Sequence, residues 1–292
     1  MPPIGPTILL LRPHQWLKNV LIFAPIFFSG NFTFINFSSA IFAFIAFSAA
    51  ASSAYCLNDL VDLAKDRAHP QKKFRPIAAG KITPTFAFGL ALVLFLFAVL
   101  VGYLQSNYVL EIILLYSILQ LLYTLYLKSV PVSDIILLSL LYLVRILCGV
   151  AATGIQPSSW ILICTWILAL MLASGKRYVE ISRIDSSDSS HPTRGVLARY
   201  SPIFLRHLVT NCGAMAIISY LLWCSEVVGR GRFSTVDAFF SAIFVVNGVL
   251  CYQLKILTNS FNEDPTLGVI QDKSILFSIL GFTAWMLFVI IH

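Results

Sequence analysis

Three aspartates and an asparagine close to residue 60 are the strongest chemical signal in this chain of 292 residues. They lie in Asn58-Asp59-Leu60-Val61-Asp62-Leu63-Ala64-Lys65-Asp66, after a long apolar run and before a basic stretch. If the helix expected for the apolar run continues, Asp59, Asp62 and Asp66 stand at i, i+3 and i+7, with Asn58 beside them. Carboxylates on one such stripe repel each other unless a cation sits among them. An all-oxygen donor set favours Mg²⁺, which takes one or two carboxylates and keeps places for water and substrate phosphate. Asn58, Asp59, Asp62 and Asp66 are the expected metal ligands, with Asp59 and Asp62 expected to be catalytic. The plainer reading is a solvated acidic patch at a helix end, since charge runs usually face water. The place of the cluster, at the mouth of a membrane segment and beside a basic run, favours metal–diphosphate chemistry.

A diphosphate needs cations beyond the metal. Lys72, Lys73 and Arg75 follow in Gln71-Lys72-Lys73-Phe74-Arg75-Pro76-Ile77. They are expected to bind substrate, although a basic rim attracted to anionic lipid, at about 1 kcal/mol per charge, also accounts for part of the group. Arg145 lies within the apolar Tyr142-Leu143-Val144-Arg145-Ile146. An arginine at membrane depth costs at least ~2.5 kcal/mol unless it pairs or snorkels. Asp134 is about 16 Å back along the same helix. Arg145 is therefore expected to be a cavity-facing phosphate ligand with a catalytic part. Lys128, after Tyr123 and Tyr126, reads equally as an interfacial anchor or a substrate ligand. Lys18, in Arg12-Pro13-His14-Gln15-Trp16-Leu17-Lys18-Asn19, is open in the same way, and Trp16 reads as interfacial. Lys176 and Arg177, in Gly175-Lys176-Arg177-Tyr178-Val179-Glu180, offer fixed cations of the kind that hold a monophosphate. Asp185 and Asp188 sit in or beside the serine-rich 186–190 and are not expected to build a second metal site. His14, His69, His191 and His207 are given no catalytic part.

Positioning these residues requires a membrane scaffold. Hydrophobic residues make up 58% of the chain and charged residues 11%, with a mean hydropathy of +0.85. A soluble domain of this length carries far more charge. The net charge of +7 is spread as loops around apolar runs, which points to anionic lipid and phosphate substrates and away from nucleic acid. The start, with four prolines between Met1 and Pro13, is not expected to be a cleaved signal. The six cysteines form no CxxC or Cys/His pattern and read as small buried hydrophobes.

Runs long enough to cross a bilayer, about 20 residues each, fall near 16–34, 37–57, 84–104, 108–127, 132–152, 158–174, 201–224, 236–257 and 273–291. The expected fold is thus an all-α, multi-pass membrane protein of nine spans, read as a single domain over 1–292. Pro25 and Asn31 make the first span the least regular. Of the twenty Lys and Arg residues, seventeen fall on one side, Arg230 and Arg232 on the other, and Arg145 within a span. The positive-inside rule then places the N-terminus and the loops near 58–83 and 175–200 in the cytoplasm, as caps over the site. A weak internal repeat, with each charged loop following the second helix of a four-helix set, would set the two loops over one cavity.

With these motifs in place, the chain resembles the UbiA superfamily of intramembrane prenyltransferases. The resemblance rests on Asn58-Asp59-x-x-Asp62-x-x-x-Asp66, on Arg75-Pro76-Ile77-x-x-Gly80 and on the number of spans. Arg12-Pro13-x-Gln15-Trp16-x-Lys18-Asn19, Tyr123-x-x-x-x-Lys128, Arg145 and Gly175-Lys176-Arg177-Tyr178-x-Glu180 resemble a narrower branch, the decaprenyl-phosphate phosphoribosyltransferase family. That resemblance implies Mg²⁺-dependent transfer of 5-phosphoribose from phosphoribosyl diphosphate to a polyprenyl phosphate in the cell membrane. It implies a substrate-binding set of Lys18, Tyr55, Asn58, Lys72, Lys73, Arg75, Tyr123, Lys128, Lys176 and Arg177. Aromatic prenyltransferases of the superfamily carry a second aspartate pair after the sixth span; here Lys176 and Arg177 stand there, which suits one diphosphate and one monophosphate. Transfer of a prenyl group from a prenyl diphosphate is the alternative, and a transporter or lipid-binding protein the non-enzymatic one.

Overall fold

The apolar runs become helices, and the breaks between them carry the chemistry. The structure is a computed structural model that describes residues 4–186, 195–258, 260, 268 and 271–291. Its α-helices are α1 (Ile4–Leu11), α2 (Ala24–Ser29), α3 (Phe34–Val61), α4 (Leu63–Ala68), α5 (Pro84–Gln105), α6 (Asn107–Leu125), α7 (Ser133–Thr153), α8 (Ser159–Ser186), α9 (Pro202–Gly229), α10 (Thr235–Leu257) and α11 (Lys273–Ile291). No strand occurs among the described residues. Eight helices, α3 and α5 through α11, are long and apolar enough to cross a membrane. The chain is a multi-pass membrane protein.

Polar caps set many of the ends. Thr33 accepts from the backbone N–H of Asn36, Thr83 from Phe86 and Ser106 from Val109. Ser234 and Asp237 form a reciprocal capping box at the start of α10. Pro84 and Pro202 open helices at a position where a missing N–H costs nothing. Between α5 and α6 only Ser106 intervenes, and Gly102 leaves the space that the Ile113 side chain fills; a Cβ there would lie 2.8 Å from it.

The expected first span departs from the other eight. Residues Pro13–Phe23 form a 3₁₀ run and α2 continues from it. The cause is visible in the spacing. In a 3₁₀ helix, side chains three apart eclipse, and here Trp16, Asn19 and Ile22 share one inward face. Trp16 donates its indole N–H to Ser52 at 2.9 Å, and Asn19 donates to Ser48 at 3.0 Å. The two serines are one α-helical turn apart on α3. Ile22 brings its carbonyl so close to α7 that a Cβ on Gly149 would lie 2.0 Å from it. Trp16, expected at the interface, is thus tied to a neighbouring helix.

By Cα proximity the chain divides into two compact units. The first holds described residues 4–137 and 141–156. In it, Ile77, Ile82, Leu10, Cys56, Ala87 and Ala91 form a buried cluster. The second holds 138–140, 157–186 and 195–291, with a core of Ile167, Met171, Val179, Val209, Val249, Tyr252 and Ile256 among others. The division falls between α7 and α8, one helix later than the repeat in the sequence suggests. Five cysteines are buried and Cys251 is half-buried.

Among its described residues, the loop expected over 175–200 is in large part helix. α8 runs to Ser186, about three turns past the apolar run. Val179 and Ile181 keep a buried face on that extension, and Gly175 makes room for the Tyr252 hydroxyl. Residues 187–194, with Asp188, His191, Arg194 and most of the serine-rich run, lie outside the described residues, as does the side chain of Asp185.

Candidate active site

At its C-terminus α3 breaks on one residue. Asp62 has φ −90° and ψ 6°, yet its N–H still bonds to the Asn58 carbonyl at 2.9 Å, and Asp66 N–H bonds to the Asp62 carbonyl at 2.8 Å. The helix therefore continues with a kink into α4. Asp59 and Asp66 point the same way and are 2% and 4% exposed. Charged carboxylates that deep persist only when paired.

The next segment delivers the cation. His69 Nδ1 accepts from the N–H groups of Gln71 and Lys72, and Lys73 N–H bonds to the His69 carbonyl. That winds residues 69–74 into a tight turn. Pro76 then accepts from both Lys81 and Ile82, while Gly80, with φ +71°, closes the turn. Ile77 and Ile82 anchor this turn in the buried cluster. Arg75 is held above it. Its Nη1 lies 3.1 Å from Asp59 Oδ1 and 2.7 Å from Asp66 Oδ2. One guanidinium nitrogen thus sits between two carboxylates seven residues apart.

Two further cations close the cluster. Arg12 Nη2 pairs with Asp59 Oδ1 at 2.5 Å, and its guanidinium lies 5.1 Å from the centre of the Tyr55 ring. Lys128 Nζ pairs with Asp62 Oδ1 at 2.7 Å. Only two non-glycine residues among those described have positive φ, Arg12 (φ 52°) and Val132 (φ 68°). One touches Asp59, and the other lies four residues after the partner of Asp62. Strain of this kind persists where the surroundings over-determine it, often at functional sites.

The expected ligands are thus brought together in part. Asp59 and Asp66 share Arg75, while Asp62 turns to Lys128. Among the described residues no three His, Cys, Asp or Glu side chains converge as a metal cage. Tyr55 and Asn58 are half-buried on α3 close to Asp59, and Tyr123 is buried on α6. Lys73 is exposed, with its ammonium 5.2 Å from the Phe74 ring centre; Lys72 is half-buried. Lys18 is half-buried on the 3₁₀ run.

Arg145 stands apart from the cluster. It is 4% exposed, donates from Nε to Asn19 Oδ1 at 2.9 Å and from Nη1 to the Leu141 carbonyl, and lies among the rings of Phe47, Tyr116 and Tyr142 at 5.4–5.5 Å. Phe47 is twelve residues from Asp59 on α3, about 18 Å along the axis. At that depth the guanidinium is satisfied by an amide, a carbonyl and aromatic faces. In the second unit, Arg177 is 1% exposed and pairs with Glu180 at 2.8 Å across one helical turn, while Lys176 is half-buried.

Arg12 is the member the sequence reading left out of the site. Its partner is 47 residues away. The signal for it was the Arg12-Pro13-x-Gln15-Trp16-x-Lys18-Asn19 resemblance, from which only Lys18 was taken into the site.

Comparison with known proteins follows the same lines. The profile of the UbiA prenyltransferase family matches residues 20–267, running through both units. A decaprenyl-phosphate phosphoribosyltransferase of Corynebacterium glutamicum is 37% identical over 218 residues, which is 73% of this chain and 65% of that protein. One from Mycobacterium tuberculosis is 34% identical over 221 residues, 74% of this chain and 72% of that protein. The match thus spans just under two thirds of the first relative and somewhat more of the second. In three dimensions, a UbiA homolog from Archaeoglobus fulgidus bound to DMAPP and Mg²⁺ superposes with a TM-score of 0.72 at 16% identity, covering 97% of this chain and 98% of the other.

Proposed function

Because this chain belongs to the UbiA prenyltransferase family, we propose that it is a membrane transferase moving 5-phosphoribose from phosphoribosyl diphosphate to a polyprenyl phosphate of the decaprenyl type. The observation that carries this reading is the carboxylate cluster with its cations, Asp59 and Asp66 on Arg75 and Asp62 on Lys128. Relatives bearing that activity in their names add to it.

Arg75 meets both carboxylates through Nη1 alone. Among the described residues its Nη2 and Nε–H have no acceptor, so a pair of phosphate oxygens fits them in the fork geometry guanidinium favours. The donor set of Asn58, Asp59, Asp62 and Asp66 is all oxygen, and a positive nitrogen already lies between Asp59 and Asp66. Those residues suit Mg²⁺, with the two aspartates nearest Arg75 as its main holders. Bound there, the metal would neutralise charge on the departing diphosphate.

In this reading the bond from ribose C1 to the diphosphate breaks, and the diphosphate leaves with the electron pair. C1 then bonds to an oxygen of the polyprenyl phosphate. That phosphate is anionic near neutrality, so no general base is required. Arg12, Arg75 and Lys128 hold the anionic groups, with Lys18, Tyr55, Asn58, Lys72, Lys73 and Tyr123 around them. Lys176 supplies a cation for a monophosphate. Arg177, already paired, holds the α8 extension in shape. Arg145 positions the 3₁₀ run through Asn19. The acidic end of α3 and the N-terminus face the cytoplasm of the cell membrane.

Purified protein in lipid should transfer radiolabel from phosphoribosyl diphosphate into the polyprenyl phosphate fraction, and Asp62→Asn should abolish most of that transfer. Transfer of a prenyl group from a prenyl diphosphate to an aromatic acceptor, with no label entering the lipid from phosphoribosyl diphosphate, would replace this reading with prenyl transfer.

A further inference from the structure

On the side of α3 turned away from the carboxylates, α3, α5 and α6 enclose a cavity of about 280 Å³. Ala50, on its α3 wall, and Asp59 are nine residues apart, about two and a half turns, so they face opposite sides of the helix. The walls are almost wholly carbon, with Leu57, Phe88, Leu92, Phe95, Leu114 and Leu121 prominent. Two residues break the pattern. Gln120 and Thr124 stand one turn apart on α6, line the cavity, and are only 8% and 2% exposed. Neither side chain makes a hydrogen bond to any described residue. The other hydroxyls on the wall are satisfied, Ser53 by the Ala91 carbonyl at 2.7 Å and Ser117 by that of Ile113 at 2.8 Å. Polar groups left unpaired in such surroundings are costly, and the cost is removed when a ligand supplies the partner.

The position of the pair selects the ligand. Thr124 and Gln120 lie at the end of α6 that precedes Lys128, near the membrane interface. The cavity runs from them to Leu114, about 15 Å deeper along the helix. Its rim residues Phe88, Leu92, Ile118 and Leu121 are exposed, and α5 and α6 are among the least buried spans. Entry is therefore from the hydrocarbon of the bilayer. The occupant needs one acceptor near the interface and an apolar chain beneath it. A polyprenyl chain has no polar group below its phosphate. A transmembrane helix of a second copy has its backbone groups already bonded.

We propose that this cavity binds an acyl chain of a bilayer glycerolipid, with the ester carbonyl accepting from the Gln120 amide and the Thr124 hydroxyl. This site is separate from the proposed reaction and does not depend on it.

The full chain in nanodiscs of phosphatidylglycerol, doped with phosphatidylcholine carrying a diazirine in one acyl chain, would be irradiated and its labelled peptides mapped. Label is expected on the 114–124 and 88–95 walls. The shape-conserving double variant Gln120→Leu, Thr124→Val should lower labelling there about fivefold, the size of one or two neutral hydrogen bonds. Ser117→Phe, which fills the cavity, should remove it. Labelling unchanged in both variants would overturn the proposal. So would displacement of the label by unlabelled polyprenyl phosphate, or a disulfide between copies through Ile118→Cys that blocks labelling.

Discussion

At the scale of single residues, Arg75 is the group whose removal separates fold from chemistry. Arg75→Ala would leave Asp59 with Arg12 alone and Asp66 with no ion-pair partner among the described residues, both buried; losing one partner of a buried pair costs about 3–5 kcal/mol. Arg75→Lys keeps a charge near the carboxylates but loses the spare donors on Nη2 and Nε. It should fold with near-normal yield, while kcat/KM for phosphoribosyl diphosphate falls by roughly ten- to a hundredfold, as for one charge-assisted contact. Steady-state assays with the donor varied check this; an unchanged kcat/KM would remove Arg75 from the substrate site. The pairing of Asp59 with Asp66 was legible in the sequence because it is local: the i, i+7 spacing survives the kink, while Asp62, at the kink itself, turns to Lys128. Its partners were legible only in part. Arg75 is nine residues from Asp66, but Arg12 is 47 from Asp59 and Lys128 is 66 from Asp62, and no periodicity records such distances. Arg145 shows the same limit. Its cost at membrane depth is readable from its neighbours, whereas its relief by Asn19, 126 residues away, is not.

At the scale of elements, the long apolar helices were readable, and the 3₁₀ run was not. Apolar runs report burial in lipid whatever the helix type, while the choice of 3₁₀ over α depends on which residues of α3 and α7 lie alongside. That contact can be tested at Gly149, where a Cβ would lie 2.0 Å from the Ile22 carbonyl. Gly149→Ala should lower the melting temperature in detergent, at a cost of about 1–3 kcal/mol as for an overpacked core. Gly89→Ala, with nothing within 4 Å, should be neutral or slightly stabilising. Equal effects would show that the run does not press on α7. A second element-level prediction concerns α11. Asp272 Oδ1 accepts from the N–H groups of Ser274 and Ile275, and Oδ2 pairs with Lys255 at 2.8 Å, joining the end of α10 to the start of α11. The Lys255 ammonium is the main reason its carboxyl is held below the usual range, with the two backbone N–H groups adding to it. A depressed value in the folded state stabilises above the unfolded value of about 3.9 and is lost as pH falls through the folded one. Asp272→Ala should therefore destabilise at neutral pH by about 0.5–2 kcal/mol, as for a lost cap. The gap to wild type should close in acid, as melting curves across pH would record.

At the scale of the whole molecule, the open quantity is how many times the chain crosses. Eight regular helices qualify, and the 3₁₀ run with α2 is the ninth candidate. Three contacts fix its course. Arg12 meets Asp59 at one end of α3, Asn19 meets Ser48 near the middle, and Phe23 packs on Phe37 with ring centres 5.6 Å apart near the other end. From Asp59 to Phe37 is about 33 Å of helix, close to the hydrocarbon thickness of a bilayer. A segment that follows α3 antiparallel over that length must traverse the membrane if α3 does. Its own length agrees, since Pro13–Phe23 at 3₁₀ rise and Ala24–Ser29 at α rise extend about 30 Å. From the charge bias we expect the acidic end of α3 to lie inside. Single cysteines on a Cys251→Ser background, where the remaining native thiols are buried, can read this with a membrane-impermeant maleimide on intact cells. Asn31→Cys, Asn107→Cys and Thr235→Cys should label, and Gln71→Cys should not. The deciding position is His14, exposed at the start of the run. No labelling of His14→Cys until the membrane is opened would establish a ninth crossing by a helix of mixed type. Labelling of both His14 and Asn31 from outside would mean that the run turns back, that the antiparallel contacts with α3 do not hold in the membrane, and that Arg12 cannot serve a cytoplasmic site.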